Sequence, residues 1–128
     1  MSVQLNHTII SSSDPSISAR FLADMLGRPA PFRFGLFEVV DLDNGVSLDF
    51  AFSQEPIQPQ HYAFLISEAE FDAVMGRIRE QRLEYWADPF HHRPGRINHN
   101  DGGRGIYFLD PDGHFMEVIT RPYGSGSG

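Results

Sequence analysis

Four side chains able to hold a metal ion stand at matching places in two halves of this chain: His7 and Asp49, then His61 and Glu117. Each half opens on a strand bearing a histidine and closes on a turn glycine, Gly45 or Gly113, with a carboxylate four residues beyond it. Side chains alternate across a strand, so Phe115, Glu117 and Ile119 share one face while Met116 and Val118 take the other. In residues 46–52, Leu48, Phe50 and Phe52 form the apolar face and leave Ser47, Asp49 and Ala51 opposite. His61 likewise lies opposite Tyr62, Phe64 and Ile66. The face away from the helices therefore holds His7, Asp49, His61 and Glu117. Two imidazoles with one or two carboxylates suit a single borderline divalent ion such as Fe, Mn, Ni, Co or Zn. Such a set leaves coordination positions for water or for two substrate oxygens. The plainer alternative is a pair of hydrogen-bonded core histidines and two solvated carboxylates, and spacing alone leaves both readings open.

Composition narrows the chemistry. The 128 residues include no cysteine and no lysine, so all ten basic residues are arginine. Thiolate nucleophiles, disulfides, Cys-type zinc sites and lysine Schiff bases are thereby excluded. A net charge of -7 gives little reason to seek nucleic acid or anionic lipid. The N-terminus has no basic, apolar leader and no stretch reaches the ~20 apolar residues of a membrane span, so a cytoplasmic protein without nucleic-acid or membrane partners is the expectation. At 41% apolar residues the chain has the material for one packed domain.

The elements that must position the four donors follow from local signals. Residues 5–10 read as a strand. Asp14-Pro15 supplies an N-cap and a first-turn proline, and Ile17, Phe21, Leu22, Met25 and Leu26 form a helical stripe ended by Gly27. Residues 32–34 and 37–42 read as strands, and Asp43-Asn44-Gly45 as a turn into strand 46–52. After a proline-containing linker, 54–59, the order begins again. Residues 60–66 are a strand, Ser67 and Glu70 make a capping box, and Phe71, Val74, Met75 and Ile78 are the buried stripe of a helix to about Arg82. Residues 84–89 form a further expected strand, followed by a long polar loop from 91 to 105, strand 106–109, the turn Asp110-Pro-Asp-Gly113 and strand 115–120. The expected class is α+β. A single domain over 1–123 comprises module 1 (about 1–53) and module 2 (about 60–123), and residues 124–128 read as a flexible Gly/Ser end.

The duplicated module, the two opening-strand histidines and the closing run Tyr107-Phe-Leu-Asp-Pro-Asp-Gly-His-Phe-Met-Glu117 resemble the vicinal oxygen chelate superfamily. Its members include glyoxalase I, extradiol dioxygenases, fosfomycin-resistance transferases and bleomycin-resistance proteins. The resemblance runs from about Leu5 to Thr120. It implies two tandem βαβββ modules in a U-shaped mixed sheet around a central cavity, with helices outside, commonly in a homodimer. It also implies His7, His61 and Glu117 as metal ligands. Asp49 matches the place of a fourth, usually glutamate, ligand of glyoxalase I, so its expected role is ligand or proton-transfer base. Tyr107 matches a tyrosine that approaches substrate in fosfomycin transferases.

The function expected on this basis is a metal-dependent enzyme binding two neighbouring oxygens of a small molecule, with glyoxalase-like lyase or isomerase chemistry first. An Fe(II) ring-cleaving dioxygenase is the enzymatic alternative. A non-catalytic antibiotic-binding protein is the third reading, resting on the acidic balance and on Phe32, Phe34, Phe37, Trp86 and Phe90. Tyr107, Trp86 and Arg104 are the expected substrate contacts, Arg104 because its fork can hold a carboxylate or phosphate by two hydrogen bonds; a surface ion pair is its plainer role. His91, His92 and His99 are expected to be solvent-exposed, and His114 structural.

Overall fold

The computed structural model describes residues 2–126. Its elements are β1 (His7–Ser12), α1 (Pro15–Leu26), β2 (Phe32–Phe34), β3 (Phe37–Asp41), β4 (Ser47–Phe52), β5 (His61–Leu65), α2 (Glu68–Glu80), β6 (Gly105–Leu109) and β7 (Phe115–Ile119), with a 3-10 turn at Asn100–Gly102. The fold is α+β. The chain divides into two compact units, one up to Gln58 and one from Pro59, within the proline-containing linker.

In module 1 the sheet order is β1-β4-β3-β2, with β1 and β4 parallel and the other pairs antiparallel. Strand β1 starts and ends two residues later than its apolar run suggests. Ser11 and Ser12 continue the ladder opposite Ala51 and Phe52, and buried Ser12 is satisfied by Ser18 Oγ at 2.8 Å. Helix α1 is capped by Asp14, which accepts from the Ile17 amide, and ends at Gly27 in the left-handed conformation. Its buried stripe is Ser18, Ala19, Leu22, Ala23 and Met25, rotated from the expected one so that Ile17 is exposed. Small residues face the sheet because a close approach buries more of Leu48 and Phe50 than larger ones would permit.

In module 2 the order is β5-β7-β6, again with the first pair parallel and the second antiparallel. The Ser67–Glu70 capping box opens α2, whose buried residues are Phe71, Val74, Met75 and Ile78, the expected stripe. They join Ile106, Phe108, Met116 and Val118 in the core of this module. The strand expected over 84–89 is reduced to bridges at Trp86, which pairs with Tyr107 and Pro94. Asp88 interrupts it by accepting from the amides of His92 and Arg93 at 3.0 and 2.7 Å, which turns the chain into the loop. Trp86 still stands where β2 stands in module 1, next to the strand that pairs with the closing one.

The turns that close the modules match. Leu42 donates to the Val46 carbonyl and Asp110 to that of His114, at 2.9 and 3.0 Å. Gly45 and Gly113 carry φ of 83° and 86°, a backbone state that side chains other than glycine rarely hold. Gly124–Gly126, part of the expected flexible end, are docked: the Gly124 and Gly126 amides both donate to the Asp101 carboxylate at 3.1 Å. Ser127 and Gly128 of that end lie outside the described residues.

Candidate metal centre

Register places the candidate donors. On the parallel pair β1–β4, His7 is opposite Ser47 and Ile9 opposite Asp49. On β5–β7, His61 is opposite Phe115 and Ala63 opposite Glu117. The two pairings are the same pattern, so in each module the histidine and the carboxylate are diagonal neighbours on one sheet face. Ile10, Leu48 and Phe50 are buried on the other face of module 1, and Phe64, Met116 and Val118 on that of module 2. Among the described residues, each module thus contributes a His–carboxylate pair.

The pair in module 2 is closed. His61 Nε2 lies 2.8 Å from Glu117 Oε1, and Glu117 has no exposed surface while the His61 side chain is 47% exposed. The Tyr123 hydroxyl donates to Glu117 Oε2 and lies 3.0 Å from the Tyr107 hydroxyl. Tyr107 is the cross-strand partner of Glu117 and meets the His61 ring edge-on at 5.8 Å. Burial, followed by the negative charge of Glu117 and the hydrogen bond to it, raises the Tyr107 pKa strongly, so its phenol stays protonated. The pair in module 1 is open. His7 is exposed, with Nδ1 2.7 Å from Asn6 Oδ1, and half-buried Asp49 accepts from Ser47 Oγ at 2.9 Å.

Other expected contacts lie elsewhere. Arg104 is taken up by α2: Nε is 2.7 Å from Glu68 Oε1, Nη1 2.9 Å from Asp72 Oδ1, and the guanidinium stacks 4.4 Å over the Phe71 ring. Hydrogen bonds to Glu68 and Asp72 raise its pKa further. Its fork therefore serves as an ion pair and a cover for the helix. Trp86 is buried, with the His91 ring stacked flat on it at 3.7 Å. His91 is consequently not the exposed residue expected; it has a left-handed backbone (φ 62°), and its Nε2 is buried without a hydrogen-bond partner. His92 and His99 are exposed. His114 is fully buried and its Nδ1 accepts from the Gln60 amide at 2.9 Å, a structural role as expected. Tyr123 escaped the sequence reading because it follows the last strand and has no counterpart in the repeat.

Among the described residues, no group of three or more His, Cys, Asp or Glu side chains gathers to hold a metal ion; His61 and Glu117 stand together, 2.8 Å apart at hydrogen-bond distance, as a pair of donors whose chemistry suits a divalent one. The buried Glu117 carboxylate is met at Oε1 by His61 and at Oε2 by the Tyr123 hydroxyl, and among the described residues its only ion pair is with His61.

This arrangement of two like modules defines a class. The family model described as the Glyoxalase/Bleomycin resistance protein/Dioxygenase superfamily matches residues 4–118, and the chain belongs to that superfamily. Within it, the chain is similar to the oxidase ChaP-H2, with 61% identity and a TM-score of 0.96 over 99% of this chain and 100% of that one. It is also similar to the oxidase ChaP-H1, at 61% identity and a TM-score of 0.95, covering 96% and 99% of the two chains. The glutathione transferase FosA of Serratia marcescens is 28% identical over 120 residues, 89% of this chain and 78% of the relative. Among the described residues no helix is long and apolar enough to cross a membrane.

Proposed function

We propose that the protein is a divalent-metal-dependent oxidase acting on a small molecule with two neighbouring oxygens. The ion is held by His61 and Glu117 of module 2. The observation that carries the reading is the buried Glu117 carboxylate facing His61 Nε2 at 2.8 Å. The 61% identity to two proteins named as oxidases favours oxygen-dependent chemistry over the lyase chemistry expected first. Iron, when bound, supplies Lewis-acid polarisation of substrate oxygens and one-electron exchange with dioxygen.

The residues of the chain do the rest. His61 and Glu117 fix one side of the site on adjacent parallel strands. Tyr107, kept protonated, donates a hydrogen bond to a substrate oxygen as negative charge develops there. Leu65, exposed on the same face as His61, gives an aromatic ring an apolar contact. Homodimers are expected, as is common in the superfamily.

A second reading keeps glyoxalase-like lyase or isomerase chemistry, favoured by Asp49, a second carboxylate, on the sheet face that carries His7. One measurement separates the two. Protein purified without added metal is analysed for metal, then loaded with Fe(II) and assayed for oxygen uptake on a panel of phenols and catechols, and for isomerisation of an α-ketoaldehyde–thiol adduct. Oxygen uptake abolished by Glu117→Gln supports the oxidase. Isomerisation without oxygen uptake overturns it in favour of the lyase.

A further inference from the structure

The C-terminal segment after β7 returns to the candidate centre instead of leaving it. Residues 121–126 form a short strap fastened at two points. At the far end, Asp101 holds a left-handed backbone (φ 57°), and its carboxylate receives the Gly124 and Gly126 amides, each at 3.1 Å. Gly126 sits so close to Asp101 that a Cβ there would lie 2.5 Å from Asp101 Cα, so only glycine permits the docking. The strap is braced internally by Ser125, whose amide and hydroxyl both donate to the Pro122 carbonyl at 3.1 and 2.6 Å. At the near end, Tyr123 places its hydroxyl on Glu117 Oε2 and 3.0 Å from the Tyr107 hydroxyl, although the residue is 57% exposed.

Glu117 therefore has both oxygens engaged: Oε1 faces His61 and Oε2 takes a proton donor from the strap. A carboxylate that hydrogen-bonds a phenol has less electron density to give to a cation, and the phenol occupies the approach to that oxygen. We infer that residues 121–126 are a gate in which Tyr123 competes with the metal ion for Glu117, with Asp101 as its latch; loading the ion lifts the strap. This rests on the reading of His61 and Glu117 as ligands. The half-exposed Tyr123 ring is suited to such a part, because leaving the site uncovers little apolar surface. Apparent affinity for the ion is then the intrinsic affinity reduced by the fraction of open strap.

The test titrates the full-length chain with Co(II), read by its visible absorption and by competition with a chelating indicator. Wild type, Tyr123→Phe, Asp101→Ala, Glu117→Gln and His61→Ala are compared. Amide exchange at Gly124 and Gly126 is followed with and without Co(II). Tyr123→Phe and Asp101→Ala are each expected to tighten Co(II) binding by about three- to tenfold, and Co(II) is expected to speed exchange at both glycines in wild type. Unchanged or weaker binding in either variant overturns the gate while leaving the ligand assignment intact, provided that Glu117→Gln and His61→Ala still lose the ion; weaker binding in Tyr123→Phe would make the phenol a ligand. Failure of wild type and both gate variants to bind Co(II) overturns the ligand assignment and the gate together.

Discussion

The two modules place a histidine and a carboxylate in the same register and then treat them differently. In module 1, His7 is exposed beside Asn6, and Asp49 is half-buried against Ser47. In module 2, Glu117 is fully buried and tied to His61 and Tyr123. The neighbouring strand explains part of the contrast. The residue paired with Asp49 across the antiparallel ladder is Val39, whereas Glu117 is paired with Tyr107. Val39 offers no hydrogen bond, so Asp49 depends on its own strand; Tyr107 and the strap enclose Glu117 in a polar network. Duplication supplies a repeated frame for donors, and substitutions on adjacent strands decide which pair is rigid before any ligand arrives.

If the modules differ in their sites but not in their cores, equal damage to either core should have equal effect. Phe50→Ala in module 1 and Phe108→Ala in module 2 each remove a ring that is at least 99% buried, and each should cost about 3–5 kcal/mol. Urea unfolding followed by fluorescence and circular dichroism checks this. Two separate transitions, one moved by each variant, would show that the modules unfold independently.

The sites should answer unequally. Glu117→Gln is expected to weaken divalent-ion binding by about a hundredfold or more, because a rigid charged ligand is lost, whereas Asp49→Asn should weaken it by about tenfold or less. Isothermal titration with Mn(II) reads both, and equal losses would erase the distinction between a closed pair and an open one.

The smallest effect concerns the closing turns. Asp110 of module 2 stands where module 1 has uncharged Leu42, and burial, partly offset by hydrogen bonds from the His114 and Asp112 amides, raises its pKa. The folded chain therefore holds this proton more tightly than the unfolded chain, whose aspartate titrates near ~3.9. The stabilisation is present below that value and is lost as pH rises through the higher folded pKa. Asp110→Asn should remove that slope, seen as a flatter dependence of the urea midpoint on pH from 4 to 6. An unaltered slope would place the titration elsewhere.

Much of this frame could be read from sequence, and the reason is local. The caps at Asp14 and Ser67, the left-handed glycines 27, 45 and 113, and the alternation that sets Glu117 apart from Met116 and Val118 all depend on residues within a turn or a strand. The features that escaped depend on distance along the chain. Arg104 finds its acids on a helix 36 and 32 residues earlier. Asp88 dissolves an apparent strand by turning its carboxylate to amides of the following loop, and His91 reaches Trp86 only through a left-handed backbone. Tyr123, in a segment that composition marks as a tail, gains its place from Asp101, which lies 22 positions before it. Small aliphatic positions mattered too: Ala19 and Ala23 displaced larger neighbours from the helix interface because they let the backbone approach the sheet.

The parallel register of β5 on β7 has a consequence for folding fidelity. With Ala63 opposite Glu117, a one-residue slip would turn His61 and Glu117 to opposite faces of the sheet. The same slip would turn Phe64 out of the core, because neighbouring residues of a strand face opposite ways. Burial of Phe64 and the meeting of His61 with Glu117 are therefore secured by one register, so the packing of the core proofreads the assembly of the site.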